Sequence, residues 1–453
     1  MQIRNLKLLI IVLIAIVVAV FGYLYFYKPV NKNGGSENGS NFISQLFPFG
    51  KSSVPKNNEK NPIDVSGYVP PDTTQTFDPK LKKVSSMPIA GYTVFMKEKF
   101  KDVPPPSIPD PNVIPFAPVK ILKDKKGKII TPKPVAPPTE FIPTLRYVEK
   151  ATGNIYQTLV EKIEERKFSD TVIPKVYQAY FGSKGEAVLM RYLKAESNVI
   201  ETFAGLLPKE LLGGDSVSNN EIKGSFLPEN ITDLSMSPDK NNVFYLFKVG
   251  NGSAGVVASA LGDKKNQIFD SPFTEWLTGW PNDKVITLTT KPTSGEPGYM
   301  YVINPDKKDL VKVLSQINGL TTLMSPDGKT ILYGDDGLSL NVYNLKTGES
   351  NLLGVKTMPE KCVWGNANYL LFCAVPKIIP PSEYPDAWYR GEVSFADEIW
   401  RIDVVSGNAT KIFDPALINV EEIDATNITL DENGNYLFLV NKKDSFLWEL
   451  NLR

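Results

Sequence analysis

Leu320–Val355 reads LTTLMSPDGKTILYGDDGLSLNVYNLKTGESNLLGV, and its punctuation decides the fold. Four strand-like runs, LTTLM, KTILY, LSLNVYNL and SNLLGV, are separated by SPDG, GDDG and KTGE. Asp-Gly and Thr-Gly supply residues that tolerate positive φ or open a tight turn, so each break has a mechanical cause. The third run alternates, with Leu338, Leu340 and Val342 on one face and Ser339, Asn341 and Tyr343 on the other. Four antiparallel strands of this kind make one blade of a β-propeller.

The same pattern extends on both sides. Turns homologous in position open at Ser237 (SPDK), Trp280 (WPND), Ser325 (SPDG), Trp364 (WGNA) and Asp431 (DENG), spaced by 43, 45, 39 and 67 residues. A period of about 40–45 is that of a four-stranded blade, and an insertion, Pro376–Asp397, accounts for the long interval. The run after each turn is almost wholly apolar (VFYLF, KVITL, TILY, YLLFCAV, YLFLV). That composition fits second strands covered on both faces by neighbouring blades. The next run alternates, as in Trp400, Ile402 and Val404, and in Phe446, Trp448, Leu450 and Leu452. Upstream, TLRYVEKATGNIYQTLV and PKVYQAYFGSKGEAVLMRYL read as hairpins turning at Thr152-Gly153 and at Ser183–Gly185. The last blade stops after its third strand, and LKKVSS, Leu81–Ser86, has the pattern of the outer strand it lacks. The expectation is an all-β, seven-bladed β-propeller closed by an N-terminal strand and preceded by a single transmembrane helix. Its blades begin near Pro88, Ser169, Leu227, Phe273, Gly319, Met358 and Val420.

Composition bounds the chemistry. The 453 residues are 42% hydrophobic and 11% aromatic, which describes a packed core. Fifty basic residues balance fifty acidic ones, so charge gives no reason to expect nucleic acid as a partner. With no histidine, a Ser-His-Asp or Cys-His nucleophile cannot be assembled, nor a His-ligated metal site. Two cysteines do not make a four-thiolate site. No G-x-S-x-G is present, and no catalytic residue, metal or cofactor is expected. Carboxylate-only chemistry stays open, because glycosidases need just two acids.

Residues 1–7 read as a cytoplasmic N-terminus carrying Arg4 and Lys7. Leu8–Tyr27 is an unbroken apolar and aromatic run. At about 1.5 Å per residue it spans roughly 30 Å, a bilayer core. Aromatics gather at its far end and basic residues precede it, which favours a retained anchor with the N-terminus inside. A cleaved signal peptide is the competing reading, though the run is long for one and no A-x-A site follows. Residues 28–80 shift to Asn, Gly, Ser, Pro and Lys and read as a flexible tether. The propeller occupies 81–453, interrupted by a Pro-rich insertion, 103–143, whose 12 prolines argue for extended polyproline and against strand.

The recurring S-P-D-G-K between first and second strands resembles the WD40-like repeats of TolB-type propellers. The resemblance covers about Leu81–Arg453 and is best at Ser325–Tyr333. The layout, with phrases such as LRYVEKATGNIYQ and FLPENITDLSMSPD, also resembles uncharacterised membrane-anchored propellers of small-genome bacteria, a likeness that brings no activity with it. TolB-type resemblance implies a protein-binding scaffold outside the cytoplasmic membrane.

Cys362 and Cys373 flank the turn in KCVWGNANYLLFCAV. On adjacent antiparallel strands they come within disulfide reach in the right register, and an extracytoplasmic compartment permits the bond. Two buried free thiols are the alternative. The insertion carries Tyr384, Trp388, Tyr389, Arg390 and Phe395, residue types enriched in binding hot spots. They serve as a docking surface if exposed, and as a local core if the loop folds onto its blade. Trp276 and Trp280 read as core, and Asp239, Asp327 and Asp431 as turn caps. Together these features predict a noncatalytic protein-binding scaffold held at the cytoplasmic membrane on its outer side, with envelope or surface proteins as partners. A surface glycan in the central channel is the alternative.

Overall fold

The computed structural model describes residues 80–101, 137–195, 197–210, 212, 220–418 and 421–453. The expected anchor at 8–27, all but the last residue of the expected tether at 28–80, and most of the Pro-rich insertion lie outside these residues. Among the described residues no helix is long and apolar enough to cross a membrane.

Seven four-stranded antiparallel sheets form the ring. In chain order the first is β1 (Leu81–Lys83) paired beside β28 (Leu447–Asn451), β27 (Tyr436–Asn441) and β26 (Ala425–Leu430). Blade 1 is then β2 (Ile89–Phe100), β3 (Thr139–Glu149), β4 (Ile155–Leu159) and β5 (Arg166–Lys167). Blade 2 follows as β6 (Val176–Gly182), β7 (Ala187–Leu193), β8 (Ile200–Leu206) and β9 (Lys223–Phe226). Blade 3 is β10 (Ile231–Met236) to β13 (Asn266–Ser271), and blade 4 runs from β14 (Trp276–Asn282) to β17 (Leu310–Asn318). Blade 5 is β18 (Thr321–Met324), β19 (Thr330–Gly334), β20 (Ser339–Asn344) and β21 (Ser350–Lys356). Blade 6 comprises β22 (Cys362–Trp364), β23 (Leu370–Pro376), β24 (Asp397–Asp403) and β25 (Ala409–Phe413). Blade 7 is completed from the other end of the ring, with Leu81 opposite Leu450 and Lys83 opposite Trp448. The expected closing strand is therefore present, and it removes the open edge an unclosed ring would leave.

Buried apolar clusters lie between successive blades all the way round. Blades 1 and 2 share Val148, Ile155, Phe181 and Met190, blades 5 and 6 share Leu340, Val342, Trp364 and Leu371, and blades 7 and 1 share Phe438, Leu447, Leu145 and Tyr147. The second strands are covered on both faces, which is why those runs are mainly apolar, and the polar residues they do carry, such as Arg146, Arg191, Thr287 and Thr289, are buried. Gly91 shows how tight the inner ring is: a Cβ there would stand 2.0 Å from the Ala179 carbonyl oxygen of the next blade. Trp276 is buried, as expected, with its Nε1 donating to Phe273 O at 3.1 Å.

The SPDG turns are built alike. Ser325 Oγ donates to Asp327 Oδ1, which also accepts from Lys329 N, and Ser237 with Asp239 repeats the geometry. Asp431 Oδ1 accepts from Asn435 N and Tyr436 N, so all three aspartates cap turns.

One boundary is corrected. β3 begins at Thr139, inside the stretch whose prolines argued against strand. Met96–Phe100 and Thr139–Pro143 form a two-stranded ribbon, and β4 joins β3 only from Thr144 onward. Pro143 sits where the ribbon begins, outside the four-stranded ladder, where a strand tolerates proline.

Candidate functional site

Alternating strand direction gives the ring two unlike faces. Blade-to-blade connections and second-to-third loops emerge on one, the connector face; first-to-second and third-to-fourth turns emerge on the other, the hairpin face. The aromatic insertion of blade 6 belongs to the connector face, and the ribbon of blade 1 projects from the hairpin face.

The insertion folds across several blades. Its short helix α1 (Asp386–Tyr389) reaches blade 4, where Asp386 accepts from Thr293 Oγ1 and Ser294 N at 2.6 Å each. Tyr389 donates its hydroxyl to Glu360 in the connection entering blade 6, and Lys442 of blade 7 donates to Trp388 O at 2.7 Å. Tyr384, Trp388 and Phe395 are buried with Leu338 of blade 5 and Met358. Of the five residues singled out in the sequence, those three form a local core, Tyr389 is half-buried, and Arg390 is exposed. Arg390 pairs with Glu392 at 2.6 Å. The same face also presents Ile378, 77% exposed, and Leu417, 80% exposed. Lys377–Asp414, at 2.5 Å, ties the segments that carry them.

Beneath the insertion lies a charged group that sequence reasoning missed. Lys361 Nζ stands 2.7 Å from Asp397 Oδ2 and 2.6 Å from Asp424 Oδ1, with all three side chains at 0% exposure. It also donates to Ala425 O at 2.9 Å and faces the rings of Trp388 and Phe395 at 5.1 and 5.3 Å. Asp424 accepts from Trp388 Nε1, Ser394 Oγ and Phe395 N. Burial pushes its carboxyl up, but Lys361 and these donors outweigh burial and hold it below its ordinary value. Asp397 differs. Burial pushes it up, and although Oδ2 accepts from Ala425 N at 2.7 Å, Oδ1 has no partner. Next to Lys361 in sequence, Cys362 is bonded to Cys373 directly across the β22–β23 pair, with Cα atoms 4.1 Å apart. The disulfide expected from spacing is present.

On the hairpin face a second group has the opposite balance. Glu210, in the connection between β8 and β9, accepts from Lys97 at 2.5 Å, from Arg146 at 3.2 Å and from Arg166. Gln157 donates to it as well. Arg146 lies between the Phe168 ring at 3.9 Å and the Phe95 ring at 5.0 Å. Burial lowers its pKa to about 10, and Glu210 opposes that shift.

On the innermost strands the carboxylates are Asp233 and, on the ribbon, Glu98. Asp233 accepts from Thr278 N at 2.6 Å and from its Oγ1 at 3.0 Å, and burial raises its pKa. Glu98 accepts from Thr139. At the rim of blade 2 a shallow groove of about 620 Å³ is lined by Lys175, Tyr192, Lys194 and Glu201. Among the described residues no cluster of Cys, Asp and Glu is arranged to hold a metal ion.

No family model matches the chain, and no curated protein matches it. Among solved structures it is similar to TolB from Acinetobacter baumannii, with TM-score 0.37 and 9% identity over 58% of this chain. That match spans 62% of the TolB chain, less than two thirds of it. It is also similar to hydrazine synthase of Kuenenia stuttgartiensis, with TM-score 0.42 and 14% identity over 61% of this chain and 76% of that one. Neither likeness carries an argument about function, and the resemblance to membrane-anchored propellers of small-genome bacteria has no counterpart in them.

Proposed function

We propose that this chain is a membrane-anchored, extracytoplasmic propeller that works as a noncatalytic protein-binding scaffold, docking a partner of the cell envelope on its connector face. The observation that carries the reading is the form of that face. A buried aromatic core and contacts to blades 4, 5 and 7 tie the insertion to the ring, and the connector face offers exposed Arg390, Ile378 and Leu417. Presentation of an arginine and aliphatic side chains on anchored segments lowers the ordering cost of binding, and arginine is enriched among binding hot spots. The apolar run Leu8–Tyr27 supports the anchor. The Cys362–Cys373 bond fits an oxidising compartment.

The buried aromatics make deletion of the insertion a poor test, because it would remove core. Surface changes avoid that. Crosslinking of native membranes followed by mass spectrometry should capture a defined protein with the wild type and lose it with Arg390→Glu combined with Ile378→Asp and Leu417→Asp. Capture undiminished by the triple variant moves the site off this face. A polysaccharide captured in place of any protein replaces the scaffold reading with glycan binding.

A further inference from the structure

The group under the insertion has more than the parts of a salt bridge. Two carboxyls and one ammonium at 0% exposure would leave a net negative charge in a dry site if all were ionised. Such a charge is costly, and the cheaper state keeps one proton on a carboxyl. The donors show which one. Asp424 accepts from Trp388, Ser394, Phe395 and Lys361, a set suited to a carboxylate. Asp397 has Lys361 and Ala425 N at Oδ2 and nothing at Oδ1, which suits a neutral acid with its hydroxyl at Oδ1. An amine, a neutral acid and a base are thus held in contact, with the Trp388 and Phe395 rings alongside.

We infer that Lys361 and Asp397 condense to an intramolecular isopeptide bond, with Asp424 as the general base. Asp424 takes one proton from the Lys361 ammonium, to which its Oδ1 is hydrogen-bonded at 2.6 Å. The freed lone pair adds to Cγ of Asp397, and the charge developing on Oδ2 is met by the Ala425 N–H, 2.7 Å away. A second Nζ proton leaves with the Oδ1 hydroxyl as water. One C–N bond forms and one C–O bond breaks, nothing is oxidised or reduced, and Asp424 ends as a neutral acid. The fold supplies two driving terms. Fixed contact replaces a bimolecular encounter, and a buried ion pair becomes an uncharged amide. The bond would join the start of β22 to the start of β24, while the disulfide joins β22 to β23.

Intact-mass measurement of the denatured, disulfide-bonded wild-type chain decides the matter without any variant. The expected mass is that of the sequence less the two hydrogens of the disulfide and less one further water. Tryptic digestion should give a branched peptide joining Lys361 to Asp397, with no cleavage after Lys361. A wild type without the water loss, or a water loss mapped to any other site such as an Asp-Gly succinimide, overturns the inference. Asp397→Ala should abolish the water loss, whereas Asp397→Asn should yield the same branched peptide by losing ammonia. Asp424→Ala should stay uncondensed, and a branched peptide from it would remove Asp424 as the base.

Discussion

The molecule holds two buried charged groups on opposite faces, and they are near inverses. On the connector face one lysine sits between two aspartates, fully enclosed. On the hairpin face one glutamate sits among Lys97, Arg146 and Arg166, whose exposure grades from 5% at Arg146 to 45% at Arg166. Both pin a non-blade segment to the ring, the insertion in one case and the connection between β8 and β9 in the other. The first has no water to fall back on when a partner is lost. The second does, because two of its cations reach solvent. Burial, more than the number of ion pairs, sets how much each group matters to stability.

The comparison breaks most directly at Lys361. Lys361→Met removes the ammonium and with it any bond to Asp397, leaves two carboxyls facing each other in a dry site, and should cost at least about 3–5 kcal/mol, read from the unfolding midpoint. A loss below about 1 kcal/mol would make the two groups equivalent and the distinction empty. Next comes the neighbouring bond. Reducing Cys362–Cys373, which spans 11 residues, should cost roughly 2–3 kcal/mol. Hydrogen exchange should then rise in 359–400 while the ribbon and Glu210 keep their protection. Glu210→Gln should cost about 1–3 kcal/mol, less than the lysine change, because only Arg146 is left with a poorly solvated charge. A cost above that of Lys361→Met would reverse the ranking.

The smallest effect is a pH dependence at the edge of the insertion. Burial raises Glu360 above its ordinary value of 4.5, against the opposing hydrogen bond from Tyr389. Since the folded-state pKa is the higher one, its contribution is fully present below the unfolded value and is lost as pH rises through the folded value. The melting temperature of the wild type should therefore fall relative to that of Glu360→Gln as pH climbs above about 4.5. A pH-independent difference would show that Glu360 does not titrate with folding.

The ring was legible because its information is local and repeated. Ser-Pro-Asp turns, apolar second strands and alternating third strands each carry a short-range cause, and the order of the blades follows from their recurrence. The disulfide was legible for the same reason, since Cys362 and Cys373 flank one turn. The insertion was half legible. Its aromatics were visible, but Trp388 points inward because Asp424, from the next connection, accepts from its Nε1, and Asp424 also accepts from the Phe395 backbone N–H. The charged groups were not legible. Lys361 and Asp424 are 63 residues apart and Lys97 and Glu210 are 113 apart, and no period links them. The ribbon was misjudged because a proline count carries no sign of where a blade stops and a two-stranded extension starts.

The pairing of Leu81–Lys83 with Trp448–Leu450 has a consequence in time. The first strand of the ring to be synthesised waits for the last one before it finds its partner, across almost the whole length of the propeller. Contacts so distant in sequence form slowly, because loop-closure entropy is lost before they give anything back. Until they form, the outer edge of β28 is an open template for other strands. The interval between synthesis of β28 and its docking against β1 is therefore when this edge is most exposed to aggregation and proteolysis, and a holding factor acting there would have Trp448–Leu450 as its natural target.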